Sequence, residues 1–139
     1  MIKKIYSMAG LIGLMALLTG MLTAAAPLPV TSFTLLSELP GTMNVGDTVT
    51  VRVQVDSDVE FSSVHANPSF RYPGKGVVAI QGGDRAGSGT SATLEITYKA
   101  KSDTSRMEGG FAPVHFVIGV RYGSGYVAVQ DYVFNVTVP

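Results

Sequence analysis

Residues 46–56 read GDTVTVRVQVD. Val49, Val51, Val53 and Val55 alternate with Thr48, Thr50, Arg52 and Gln54, so an extended chain sends every valine to one face and every polar side chain to the other. A helix of the same residues would scatter the valines around its circumference, whereas β-branched side chains suit a pleated surface. Gly46 and Asp47 supply a turn before the stretch, and Asp56 and Asp58 close it. A strand with one apolar face needs a second layer across that face, and the rest of the chain reads as strands that provide it.

At 139 residues the chain has room for one domain with one core. Its ten basic and ten acidic residues cancel; setting aside Lys3 and Lys4, which fall in a leader, leaves eight basic residues against ten acidic ones and no basic run. That composition offers nucleic acid no electrostatic footprint. Cysteine is absent, so neither a disulfide framework nor a thiolate metal site is possible.

Lys3 and Lys4 precede an uncharged run at residues 9–22, AGLIGLMALLTGML, which ends at the small residues Thr23, Ala24, Ala25 and Ala26. This is the layout of a secretory signal peptide over residues 1–25, with cleavage after Ala25 and Ala24 as the neighbouring alternative. The competing reading is an uncleaved anchor, counted over residues 5–26 to reach the ~20 residues a span requires. In both cases the lysines stay inside, so the domain is expected outside the cytoplasm: secreted, periplasmic or on the cell surface.

Pro27 and Pro29 make residues 26–34 an extended linker or first strand, with Phe33 and Leu35 on one face, and residues 35–139 are expected to form the domain. Residues 59–66 read as a third strand, and the prolines and glycines around Phe70 and Tyr72 leave room for a short or edge strand. Residues 76–80 form a brief strand, and residues 82–89 a loop. Strict alternation returns at residues 91–100, with Ala92, Leu94, Ile96 and Tyr98 inward. Residues 113–122 and 126–138 form a hairpin about Gly123-Ser124-Gly125. Val114, Phe116, Ile118 and Val120 face inward from its first arm, and Tyr132, Phe134, Val136 and Val138 from its second. Val127 and Val129 lie in the opposite phase, which predicts a bulge near Gln130 or a strand that begins with its other face covered. About seven short strands and no amphipathic helix after the signal-peptide helix give an all-β fold, an immunoglobulin-like antiparallel β-sandwich.

Three stretches, VGDTVTVRVQVDSD, AGSGTSATLEITYKAKSD and PVHFVIGVRYGSGYVAVQDYVFNVTV, give the chain from Leu35 to Val138 a family resemblance. It resembles the immunoglobulin-like modules of prokaryotic cell-surface proteins, of the CARDB (cell-adhesion-related domain found in bacteria) type and the related modules of archaeal surface-layer proteins. The resemblance implies a sandwich similar in architecture to fibronectin type III domains, a role in adhesion or scaffolding, and no shared catalytic site.

Asp56, Asp58 and Glu60 occupy alternate positions and, with Asp47, are the candidates for a calcium site, although no Asp-x-Asp-x-Asp-Gly loop accompanies them; solvated strand-end carboxylates are the commoner outcome. His65 and His115 are the only imidazoles, too few for a zinc site and without a recognisable acid for a triad. The glycines of residues 82–89 lack the lysine and the following helix of a phosphate loop, and Arg85 at the tip is at most a contact residue. Tyr72, Tyr122 and Tyr126 are the candidates for a sugar-stacking platform. Asn135-Val136-Thr137 is a glycosylation sequon with Asn135 facing outward. No nucleophile, base and orienting group fall in a recognisable spacing, so no enzyme and no cofactor are expected. Three functions remain: an adhesion or scaffold module with a protein or cell-envelope partner, a self-assembling filament or surface-layer subunit that donates residues 26–36 to a neighbour, and an accessory carbohydrate- or calcium-binding sandwich.

Overall fold

The structure is a computed structural model that describes residues 27–68 and 72–139. The leader, its cleavage site at Ala25, and Phe70 lie outside the described residues. The described residues form seven strands: β1 (Thr31–Leu35), β2 (Thr48–Pro68), β3 (Val78–Ile80), β4 (Asp84–Ala86), β5 (Gly89–Ala100), β6 (Ala112–Tyr122) and β7 (Val127–Val136). The helical content among the described residues is two short 3-10 turns, Pro73–Gly76 and Glu108–Gly110. The all-β sandwich-like fold expected from the alternating valines is what forms.

Strand β2 organises both layers. Its first half pairs antiparallel with β5, from Thr48 opposite Lys99 to Asp56 opposite Ser91, and on its other edge with β1, from Leu35 opposite Val53 to Thr31 opposite Ser57. Its second half pairs with β6, from Phe61 opposite Tyr122 to Pro68 opposite Phe116, and with β4, where His65 lies opposite Arg85. The register against β5 breaks between Asp56 and Phe61, and that against β6 shifts between Phe61 and Ser63. Adding β3 beside β5 and β7 beside β6 gives two layers, β1-β2-β5-β3 and β4-β2-β6-β7, joined through β2. Residues 59–66, expected as a separate strand, are thus the second half of a 21-residue one. The polar run from Asp56 to Glu60 resembles a turn in sequence, but here it marks the irregularity at which one strand passes from layer to layer.

Both layers turn their apolar positions inward. Val51, Val53 and Val55 of β2 and Leu94, Ile96 and Tyr98 of β5 are buried from one side, and Val114, Phe116, Ile118 and Val120 of β6 with Phe134 and Val136 of β7 from the other. The inward phase of β2 changes from Val55 to Val64 and Ala66, as the register shifts require. Tyr98 crosses the interior, its ring 5.4 Å from Phe134 edge-on and 6.1 Å from Phe116. These rings lock the layers together. The Tyr98 hydroxyl is buried with no hydrogen-bond partner among the described residues, and burial, with a smaller contribution from Tyr72, raises its pKa. That desolvation costs ~1–3 kcal/mol, which the packed ring must offset.

Of the two expectations for this phase, a bulge near Gln130 or a strand that begins with its other face covered, neither is found. Strands β6 and β7 stay in register without interruption from Ala112 opposite Val136 to Arg121 opposite Val127. Val127 and Val129 are therefore exposed, while Ala128 takes the inward-facing phase. Thr104 pins the C-terminal end: its backbone N–H donates to Val138 O at 2.8 Å, its hydroxyl donates to Gly110 O at 2.7 Å, and Val138 N donates to Thr104 Oγ1 at 3.1 Å.

Candidate interaction surface

The outer faces of the two layers differ in chemistry. On the first, the β2–β5 register aligns Thr50 with Thr97, whose hydroxyls lie 3.0 Å apart, and Arg52 with Glu95, where Nε donates to Oε1 at 2.9 Å. Gln54 Nε2 donates to Ser91 Oγ at 2.5 Å, and Gln54 Oε1 accepts from Thr93 at 2.6 Å; Ser91 in turn donates to Asp56 Oδ1 at 2.9 Å. These polar groups satisfy one another across the strands.

The outer face of the second layer presents valines instead. Val127, Val129 and Val133 of β7 are 47%, 56% and 67% exposed. Beside them on β6 are His115, Val117 and Gly119, all half-exposed. Gly119 lies opposite His65 on one side and Val129 on the other, and a Cβ at Gly119 would meet nothing within 4 Å. Gly119 thus adds no side chain to the exposed face. Polar groups interrupt and border the valines: Asp131, between Val129 and Val133 on the same face, has its Oδ1 3.0 Å from His115 Nε2, His65 Nε2 lies 3.0 Å from Ser63 Oγ, and Arg85 and Arg121 are exposed nearby in the register.

The residues singled out from sequence fare differently. Asp56 Oδ1 accepts hydrogen bonds from Ser91 and Gln54, and Asp58 Oδ1 accepts from Val30 N at 2.8 Å, so Asp58 ties the start of β1 to the irregular part of β2. Glu60 is exposed. Asp47 Oδ2 accepts from Asn44 N at 2.9 Å and closes a turn. Among the described residues no group of three or more His, Asp or Glu side chains comes together to hold a metal ion. His65 and His115 are separated by four positions of strand, roughly 13 Å along its axis. The tyrosines do not form a platform. Tyr72 is buried, its hydroxyl donates to Val78 O at 2.8 Å, and burial raises its pKa. Tyr122 is also buried, with its hydroxyl 2.6 Å from Thr31 Oγ1 and 2.8 Å from Ser57 Oγ, which leaves Tyr126 half-buried beside it. Asn135 is exposed on β7, opposite Pro113.

Residues 82–89, expected as a loop, contain β4. Asp84 sits opposite Ala66 in the second layer while its carboxylate accepts Glu95 N of the first at 2.6 Å. The pairing involves only three residues, two of them charged, and carries no apolar alternation to reveal it. Gly119 and the His115–Asp131 pair were equally silent in sequence, since both depend on neighbours brought in by strand register.

A groove of about 540 Å³ runs where β1 and β7 approach from opposite layers, lined by Val30, Phe33, Tyr126, Val127 and Val129 among others. Strand β7 is the outermost strand of its layer, and Thr137, just beyond it, meets Thr42 in an isolated bridge.

No family model matches the sequence, and no curated protein matches it. Among solved structures, the SrpA adhesin from Streptococcus sanguinis is similar over 84% of this chain and 59% of its own, at 11% identity and a TM-score of 0.50. The alpha-2-macroglobulin of E. coli (16% identity, TM-score 0.45) is matched over 82% of this chain and 7% of that one. Domains 4 and 5 of the S-layer protein SbsC (13% identity, TM-score 0.38) are matched over 80% and 46%. The chain thus spans less than two thirds of each of these proteins. The last two superpose too loosely to bear on the reading. The likeness to SrpA is one of fold, and it agrees with two antiparallel layers sharing one core.

Proposed function

We propose that this chain is a non-enzymatic, extracytoplasmic adhesion or scaffold module that binds a protein or cell-envelope partner through the outer face of its second layer. The observation that carries the reading is the contrast between outer faces: one is crossed by a network of its own side-chain hydrogen bonds, the other exposes Val127, Val129 and Val133 beside Gly119, which has no side chain. The leader layout in residues 1–25 supports export, with Ala25 as the cleavage residue. The sequence resemblance to CARDB-type modules and the fold shared with an adhesin point the same way. Asn135, exposed beside the valine stripe, is the proposed site of glycosylation in a host that modifies sequons.

The test is made on the full chain in intact cells. Protease shaving is expected to release its peptides from the cell surface, or the medium to contain the chain with Ala26 as its first residue. Recovery of an uncleaved, protease-protected chain from the cytosol would end the reading.

A second reading is favoured by the exposure of Leu28 and Val30 (both 67%) just before β1, an edge strand bonded on one side to β2: the segment leaves its own sandwich and completes a neighbour's. Cysteines replacing Thr31 and Ser57, which face each other in the β1–β2 register, would lock β1 at home. Assembly that survives this lock removes strand donation.

A further inference from the structure

Four strands end a layer, and three of them are poor templates for another chain. β3 and β4 have three residues each, and β4 carries Asp84 and Arg85; β1 has five residues and follows Pro27 and Pro29. Short length, charge and proline are the ordinary means of blunting an edge. β7 has none of them. It runs for ten residues without Pro, Lys or Arg, and its one charged residue, Asp131, faces His115 on the neighbouring strand.

The direction of its free backbone groups follows from the hairpin. Tyr122 N donates to Tyr126 O, so in the continuous β6–β7 register the even-numbered residues of β7 exchange hydrogen bonds with β6 and the odd-numbered ones point away. Thr137 confirms the phase, since its N–H donates to Gly41 O and its carbonyl accepts from Met43 N on the far side. The N–H groups of Val127, Val129, Asp131, Val133 and Asn135 therefore line an open edge, where Asp131 O is met by the side chain of Gln130 at 3.1 Å.

We propose that this edge pairs antiparallel with β7 of a second copy of the chain, about a two-fold axis at Gln130, joining the second layers of two molecules into one continuous sheet. Charge and space select the register. Placing the axis at Asp131 would set two carboxylates directly opposite, which is unfavourable. Placing it at Tyr132 would run the second copy's Val127 against Thr137, whose backbone groups are already taken. Placing it at Val129 would carry the turn at residues 123–125 into the pairing and shorten the ladder. With the axis at Gln130, Val129 faces Asp131 and Val127 faces Val133 of the second copy, each contact occurring twice, for about eight backbone hydrogen bonds. Two Val127–Val133 contacts then flank the two central Val129–Asp131 pairs, and the Gln130 side chain swings off Asp131 O. This pairing is independent of the adhesion reading, so either can fail without the other.

The chain has no cysteine, which makes single cysteines clean reporters. Sedimentation of the mature protein across concentration is expected to show a monomer–dimer equilibrium. Gln130→Cys, opposite itself in a non-hydrogen-bonded pair, should give a disulfide-linked dimer on mild oxidation, while Asn135→Cys should not. Val129→Pro removes an N–H that faces only the open edge; it should abolish the dimer while leaving the thermal transition and far-ultraviolet spectrum in place. A strictly monomeric chain with no Gln130→Cys dimer overturns the proposal. So does a dimer that withstands Val129→Pro but disappears when Thr31→Cys and Ser57→Cys lock β1, because association would then run through the N-terminal segment.

Discussion

The two flanks of the sandwich are closed by different means. On one, the chain itself crosses between layers: Gln81 N donates to Thr97 O at the edge of β5, and two residues past Gly82 the Asp84 carboxylate still holds Glu95 N while its backbone enters the second layer. On the other, among the described residues, the hydrogen bonds that tie β1 and its connection to the second layer lie towards the two ends of β7. Tyr122 bonds to Thr31 and Ser57 at one end, and the connection from β1 to β2 reaches Thr137 through Gly41 and Met43 at the other. Between them lies the groove of about 540 Å³. A crossing made within a few residues stitches its flank as it passes, whereas a crossing made by a long connection leaves the middle of the edge strands uncovered. The open flank is also where the unblunted edge of β7 lies.

The largest effect should come from the interior that both flanks enclose. Phe116 is fully buried, stacked on Tyr132 at 4.7 Å and near both Tyr98 and Phe134. Phe116→Ala should cost about 3–5 kcal/mol in urea unfolding, because it removes a large side chain and leaves a cavity. Both flanks should loosen together; loss of protection on one alone would mean that the layers do not share a single cooperative core.

The next test separates the flanks. Tyr122→Phe removes one hydroxyl that serves two partly buried partners and should cost about 1–3 kcal/mol. Amide exchange should speed up in β1 and not in β5. On the stitched flank, Asp84→Ala should cost about 1 kcal/mol, since a half-exposed carboxylate is replaced at the Glu95 amide by water. The amide of Glu95 should lose protection while those of Thr31 to Leu35 do not. Equal responses in both strands would erase the distinction.

The layers were legible in sequence because their signal is local. Alternation around Val51, Leu94 and Phe116 states which side of each strand is apolar, and the structure buries those sides. What joins the layers was not legible. One strand serves both because its register shifts between Asp56 and Phe61, a change of partner that no local pattern records. The same holds for the surface. Val127 and Val129 were visible as out of phase, but that phase pointed to a bulge or to a strand that begins with its other face covered, and the unbroken β6–β7 register with both valines exposed shows neither. Gly119 read as one glycine among sixteen, and only its placement between His65 and Val129 sets it on the outer face of the second layer.

The smallest expected effect on stability is the most informative about the open flank. Val133 is 67% exposed, so exchanging one of its methyl groups for a hydroxyl removes little buried apolar surface and keeps the β-branched shape that a strand favours. Val133→Thr should therefore change unfolding free energy by no more than about 0.5 kcal/mol, as is usual for surface positions. Fully buried Val114 on the neighbouring strand provides the contrast: there the same exchange places a hydroxyl in an apolar core and should cost about 1–3 kcal/mol. If Val133 sits at an interface between chains, Val133→Thr should still weaken dimerisation in sedimentation, because its apolar contact with Val127 of the second copy is made only there. A variant that unfolds like the parent and associates less tightly would locate the function of this face outside the fold's own stability. A loss of stability as large as that of Val114→Thr would instead show that Val133 is covered within its own chain.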